Sequence, residues 1–269
     1  MTRHLSITLV LSISAILLIG QTTFQPKPVN INLKGVVYDF ETTFEGRLHP
    51  QGFSLSFRKG RLKSYYRTTY QNFEFGFYKD GRESRETKQL FAPSGERIPL
   101  SFIYGKANQF FTLRYAVGEK RYLSEKTKRK GIAVGLIYEG GVTLGLLKPY
   151  SLRVLRLEND NVTRRVETIT YDEDLIEDFL DYDDIYGGAG FWRDFDKISP
   201  TPGLHGKIGM HWSLGAFEKK VTAVEAGFMA DIFPRTIPLL VERDDIRNDF
   251  YFFKFYVGVQ FGSRRRLGE

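Results

Sequence analysis

Residues 250–261, FYFFKFYVGVQF, alternate with a period of two. Tyr251, Phe253, Phe255, Val257, Val259 and Phe261 make one apolar parity. Phe252, Lys254, Tyr256, Gly258 and Gln260 make the other, which is mostly polar or small. A strand sends successive side chains to opposite faces, so one face here wants hydrocarbon and the other accepts polar company. The pattern recurs upstream. At 52–58, Phe53, Leu55 and Phe57 oppose Ser54, Ser56 and Arg58. At 65–78, Phe73, Phe75 and Phe77 oppose Thr68, Tyr70, Asn72, Glu74 and Gly76. Residues 110–118 set Phe111, Leu113, Tyr115 and Val117 against Thr112, Arg114 and Ala116.

The longest run, 132–147, puts Ile132, Val134, Leu136, Tyr138, Val142, Leu144 and Leu146 on one face. Its other face carries Glu139 and a series of small residues. Glycine weakens a strand interior, but on one parity it suits the crowded inside of a narrow barrel. Strong alternation returns at 204–215 and 221–233, with a weaker stretch at 187–195. These eight segments, with 250–261 last, predict an all-β, antiparallel transmembrane barrel with both termini on one side. Residues 36–45 alternate too, and 151–170 reads as a charged hairpin. Counting 36–45 and one strand of that hairpin would give ten strands. Residues 172–184, DEDLIEDFLDYDD, space Leu175, Ile176, Phe179 and Leu180 as a short amphipathic helix in a long loop. On the eight-segment scheme the longest connections, 79–109 and 148–186, fall on the side of the termini. If 36–45 is a strand, 79–109 moves to the other side.

The N-terminus changes the picture. Residues 1–20 place Arg3 and His4 ahead of a largely apolar run, the form of a cleaved signal peptide. The chain then divides into a periplasmic leader and candidate first strand at 21–50, a barrel at 51–262 and a basic periplasmic tail at 263–269. Abundant Phe and Tyr (23 and 15) suit aromatic girdles around a lipid-facing belt. A soluble β-sandwich would share the alternation. With no cysteine, disulfides, thiolate metal sites and a lipidated cysteine are excluded. A net charge of +7 without a helix-turn-helix, zinc-finger or RNA-binding pattern argues against nucleic acid and for lipid phosphates, including lipopolysaccharide.

One constellation could carry chemistry. His211 and Ser213 share a strand face, and a turn centred near Glu218 would set Glu225 opposite His211. A histidine that activates a serine and is oriented by a carboxylate is what nucleophilic hydrolysis needs. The same parity puts all three inside the barrel, where Glu74, Arg114, Glu139, His211, Glu225, Asp231 and Lys254 would form a polar network with no catalytic role. Buried charges must be paired in any case. The acidic stretch 172–184 could hold calcium, dock a basic partner or be a solvated helix face, and it lacks EF-hand spacing. The basic loop 126–130, with Lys120 and Arg121, could meet lipid A phosphates or be ordinary loop charge. No cofactor or metal site is indicated.

The signal peptide, alternating segments and aromatic closing strand resemble small outer-membrane barrels of the OmpA/OmpX-like size class. YGKANQFFTLRYAVG, GGVTLGLLKPY and PGLHGKIGMHWSL look like an uncharacterised outer-membrane barrel family of Bacteroidota type. The His, Ser and Glu spacing also resembles the lipid A 3-O-deacylase family, without the Asn that follows Ser there. The barrel resemblance implies the outer membrane of a Gram-negative bacterium. The length and charge of loops 79–109 and 148–186, with no complete active site, point to a non-enzymatic structural or accessory subunit of an envelope assembly or secretion machine that meets a protein partner through those loops. The alternatives are a lipid A hydrolase and a small passive pore.

Overall fold

The computed structural model describes residues 38–88, 99–124, 132–157, 164–214, 218–243 and 246–267. Residues 1–20, expected as a signal peptide, most of the expected leader and the basic loop 126–130 lie outside them. The strands are β1 (Phe40–His49), β2 (Gly52–Leu62), β3 (Arg67–Tyr78), β4 (Arg85–Glu86), β5 (Phe102–Ile103), β6 (Asn108–Tyr122), β7 (Ala133–Pro149), β8 (Ser151–Leu157), β9 (Arg164–Thr170), β10 (Ile185–Gly188), β11 (Ser199–Ser213), β12 (Lys220–Ile232) and β13 (Tyr251–Arg265).

Eight of them close an antiparallel barrel in the order β1-β13-β12-β11-β7-β6-β3-β2. First and last strands seal it, in register from Phe40↔Arg265 to Leu48↔Val257. The count of eight holds, but its membership differs from the sequence expectation. The first wall strand, β1, starts within the alternating stretch 36–45 at Phe40 and runs on to His49, and 187–195 is not in the wall. Ile185–Gly188 instead pairs with β8, and β8 with β9, as a separate sheet of three strands. All four residues of β10 are buried, so this segment lacks the one-sided pattern of a wall strand. Its glycines let other backbone come close: a Cβ on Gly187 would stand 2.6 Å from Leu100 O. The wall also runs past residue 262 to Arg265, so the start of the basic tail is strand.

This exchange moves the connections. Residues 79–107, 150–198 and 233–250 all leave the barrel at the end opposite the termini. Only the links at 63–66, 123–132 and 214–219 sit at the terminal end. The expectation that 79–109 and 148–186 lie on the terminal side is therefore corrected, because β1 shifts β2, β3, β6 and β7 by one crossing.

The wall is apolar outside and polar inside. Phe44, Leu55, Phe73, Leu113, Val142, Leu204, Phe228, Phe253 and Phe255 are exposed, whereas Arg47, Arg58, Glu74, Glu225 and Asp231 are buried. This inversion fits hydrocarbon as the outer solvent, where a closed barrel leaves no unpaired backbone edge. Among the described residues no helix is long and apolar enough to cross a membrane.

Above the wall, at the end opposite the termini, the three long connections share one core. Phe102, Ala107, Leu152, Val154, Ile169, Phe179, Ile185 and Val241 pack together, drawn from all three. The acidic stretch contributes a 3-10 turn, Glu173–Leu175, and a helix, Ile176–Leu180, whose Phe179 is wholly buried. It is thus a packed element of this cap and not a freely solvated helix. Lys106, at the base of the cap, is bonded to Glu83 at 2.6 Å, and burial pushes its ammonium below the usual lysine range. Between cap and lumen lies a second apolar layer of Tyr78, Phe110, Leu147, Phe233, Ile237, Leu239 and Phe252, which seals that end of the barrel.

The β1–β2 turn needs glycine. Gly52 has φ +140°, and a Cβ there would stand 2.2 Å from Phe77 O. Gly52→Ala is expected to lose about 1–3 kcal/mol, read as a lower urea midpoint in detergent.

Candidate functional site

Every inward parity position of the wall points at its counterparts across a narrow lumen, and the charged ones meet there in three tiers. Nearest the terminal end, Glu41 accepts from Lys120 Nζ at 2.5 Å and Arg264 Nε at 2.8 Å. In the middle, Arg58 donates to both Glu225 oxygens at 2.6 and 2.9 Å and also reaches Glu45. Arg47 grips Glu45 at 2.8 and 2.7 Å and extends to Glu74. Lys207 lies between Glu139 (3.2 Å) and Glu225 (3.8 Å). Glu139 also accepts from the Tyr70 hydroxyl and the Asn72 amide. Nearest the cap, Asp231 takes Arg114 at 2.8 Å on each oxygen, His205 Nδ1 at 2.9 Å, the Tyr78 hydroxyl at 3.0 Å and Lys254 at 3.2 Å.

Charge nearly cancels within this network. Glu41, Glu45, Glu74, Glu139, Glu225 and Asp231 face Arg47, Arg58, Arg114, Lys120, Lys207, Lys254 and Arg264, all buried. Such groups tolerate a low-dielectric interior only when paired and hydrogen-bonded, and here most bridge two partners. The lumen is therefore a packed ionic core in place of the usual apolar one. Small residues make room for it: Gly209 faces Gly227, and a Cβ on Gly209 would stand 2.6 Å from Tyr256 Oη.

The residues singled out from sequence, Glu74, Arg114, Glu139, His211, Glu225, Asp231 and Lys254, are brought together in this core. Sequence reasoning missed the roles of Arg47, Lys120 and Arg264. Arg47 lies just past the end assigned to the first strand. Lys120 was grouped with the basic loop, yet it points into the lumen because β6 continues to Tyr122. Arg264 was assigned to the tail, and it too is a lumen residue. The parity rule would have found all three had the strand ends been placed correctly.

The hydrolase geometry is half present. The β11–β12 register sets His211 opposite Glu225, and His211 Nδ1 lies 2.9 Å from Glu225 Oε1. His211 Nε2 faces the Tyr122 hydroxyl at 3.5 Å, and Ser213 Oγ has no hydrogen-bond partner among the described residues. Glu225 is also engaged by Arg58, and all three residues are wholly buried. The base thus does not contact its nucleophile here, and both are closed off from the lipid-facing side of the wall. Ser213→Ala is expected to leave the lipid A mass spectrum of the host unchanged. Removing an unsatisfied hydroxyl should leave stability equal or slightly higher.

Glu74, Glu139 and His205 hold potential metal-ligand atoms within 4.8 Å of one another. Arg47 and Arg114 already occupy Glu74, and Lys207 occupies Glu139. A divalent ion would enter against three neighbouring cations, so the donor set fits its own ion pairs better than a metal.

No protein-family model and no curated protein matches the sequence. Among solved structures, the N-terminal β-barrel domain of Pseudomonas aeruginosa OprF is similar at 7% identity and a TM-score of 0.33, covering 84% of this chain and 97% of that one. Ail, the attachment invasion locus protein of Yersinia pestis, solved with the heparin analogue sucrose octasulfate, is similar at 7% identity and 0.34, over 84% and 95%. Neisserial surface protein A is similar at 8% identity and 0.31, over 85% and 95%. The three are small outer-membrane β-barrels.

Proposed function

We propose that this chain is a non-enzymatic outer-membrane β-barrel that presents a folded cap to a protein partner, as a structural or accessory subunit of an envelope assembly or secretion machine. One observation carries this reading. The three long connections gather at one end and build a cap with its own apolar core over a sealed lumen. Bacterial barrels keep short turns in the periplasm and long loops outside, which puts the cap on the cell surface and the termini in the periplasm. An interior filled with paired charges and closed by Tyr78, Phe110, Phe233 and Phe252 gives ions no path, which weighs against a passive pore. The isolated Ser213 weighs against a hydrolase.

The test is tagged purification from outer membranes in mild detergent, comparing the full chain with a variant whose residues 150–198 are replaced by a short Gly-Ser linker. The wild type is expected to bring down a partner in fixed ratio. The variant, its wall strands intact, is expected to lose it. An identical set of co-purifying proteins for both would overturn the cap as the docking element.

A further inference from the structure

The outer face of the wall is not uniform. On β7 and β11 the outward positions are apolar or glycine along most of the strand, from Val134 to Leu146 on β7 and from Pro202 to Trp212 on β11. On β2, β3 and β6 the apolar series stops short of the terminal end. It ends at Phe57, Phe73 and Val117, and the next outward positions are Lys59 and Arg61, Gln71, Thr69 and Arg67, and Glu119 and Arg121.

Register joins these into one patch. Lys59 pairs with Gln71 and Arg61 with Thr69 across β2–β3; Thr69 pairs with Glu119 and Arg67 with Arg121 across β3–β6. On the next strand Arg121 lies beside Leu136 and Glu119 beside Tyr138. Arg121 therefore stands beside hydrocarbon of β7 and Arg61 beside Phe40 of β1, while Lys59 lies between Thr42 and Gln71.

Their pairing is uneven. Glu119 is ringed by Arg67 at 2.6 Å, by Arg121 and by the Tyr138 hydroxyl at 2.9 Å. Lys59 and Arg61 are exposed and have no carboxylate partner among the described residues. They line a groove of about 660 Å³ with Phe40, Gln71 and Val117, in which the carboxylates of Glu119 and Glu139 are engaged by Arg67, Arg121 and Lys207. A second groove of about 810 Å³, lined by Phe44, Leu55, Phe57, Phe73, Phe75 and Tyr115, lies on the same strands toward the cap.

A cation at a lipid-facing position needs a counter-charge or a path to water. Here a basic groove continues into an apolar one along the wall, the arrangement of a phosphate headgroup followed by its acyl chains. We infer that Lys59 and Arg61 bind the phosphate of an anionic glycerophospholipid in the leaflet on the side of the termini, with its chains along the Phe57–Phe73 groove. This rests on the membrane-spanning reading above.

The experiment reconstitutes the full chain into vesicles of phosphatidylethanolamine and phosphatidylglycerol, extracts it in mild detergent and counts retained lipids by native mass spectrometry. Wild type should keep phosphatidylglycerol over phosphatidylethanolamine. The Lys59→Gln/Arg61→Gln double variant should lose that preference by roughly thirtyfold, the weight of two basic side chains at an anionic surface. The charge-preserving Lys59→Arg/Arg61→Lys variant should retain it. Equal retention by wild type and the Gln variant would overturn the site. So would displacement of the lipid by millimolar inorganic phosphate, which would assign the groove to a free anion. Failure of the wild type itself to insert into vesicles would overturn the membrane reading instead, and gel mobility with and without boiling separates the two failures.

Discussion

Asp231→Ala is expected to destabilise the folded barrel by about 3–5 kcal/mol, the range for removing one member of a buried ionic cluster. Asp231 is the shared acceptor of Arg114, Lys254, His205 and Tyr78, and it is wholly buried. Its loss leaves two cations with less compensation in a site that water does not reach. Arg114 keeps Glu74, so the greater part of the damage falls on Lys254, which has no second carboxylate bonded to it among the described residues. The measurement is the urea midpoint of the folded band on unboiled gels, after refolding into detergent or vesicles. Adding Lys254→Met to Asp231→Ala should recover part of the loss, since it removes the stranded charge and fills its volume. An unchanged midpoint for Asp231→Ala would mean that the lumen admits water and that the ion pairs are solvated.

Phe255→Arg tests the other side of the wall. Phe255 faces outward in the middle of β13, opposite Phe228 of β12 and within contact of its ring at 5.6 Å. At the centre of a lipid-facing belt an arginine costs about 2–4 kcal/mol. Insertion into vesicles should become less favourable by that amount, while Phe255→Leu should shift it little. If water or a protein surface covered this face in the native state, an exposed substitution of this kind would stay within about 0.5 kcal/mol. The pair of experiments addresses the inverted core from both faces.

Much of the wall was legible from residue order because a strand's two faces are set by parity alone. Phe253, Phe255, Val257, Val259 and Phe261 point outward, and Lys254 and Tyr256 point inward, as alternation requires. The same rule placed Glu74, Arg114, Glu139 and Asp231 inside. It failed at strand ends and in short buried strands. β10 is covered on both sides and carries two glycines, so it shows no alternation to read. Leaving β1 out of the wall sent the connections before β11 to the wrong end, and the mistaken inclusion of β10 restored the crossing count only from β11 onward.

The His211–Glu225 contact could be anticipated because both residues lie on one hairpin, so their register follows from the turn between them. Contacts between distant strands could not. Arg58 meets Glu225 and Arg264 meets Glu41 only because the sheet closes on itself, and no local pattern encodes where a closed sheet brings its far members. Nor does local pattern say that Phe102, Phe179 and Val241 share one core. Residue order by itself determined the side of the wall each strand residue faces, since that is a property of neighbouring peptide units. Which charges pair across the lumen and how three loops become one cap were decided only by tertiary structure, because closure and packing depend on every strand at once.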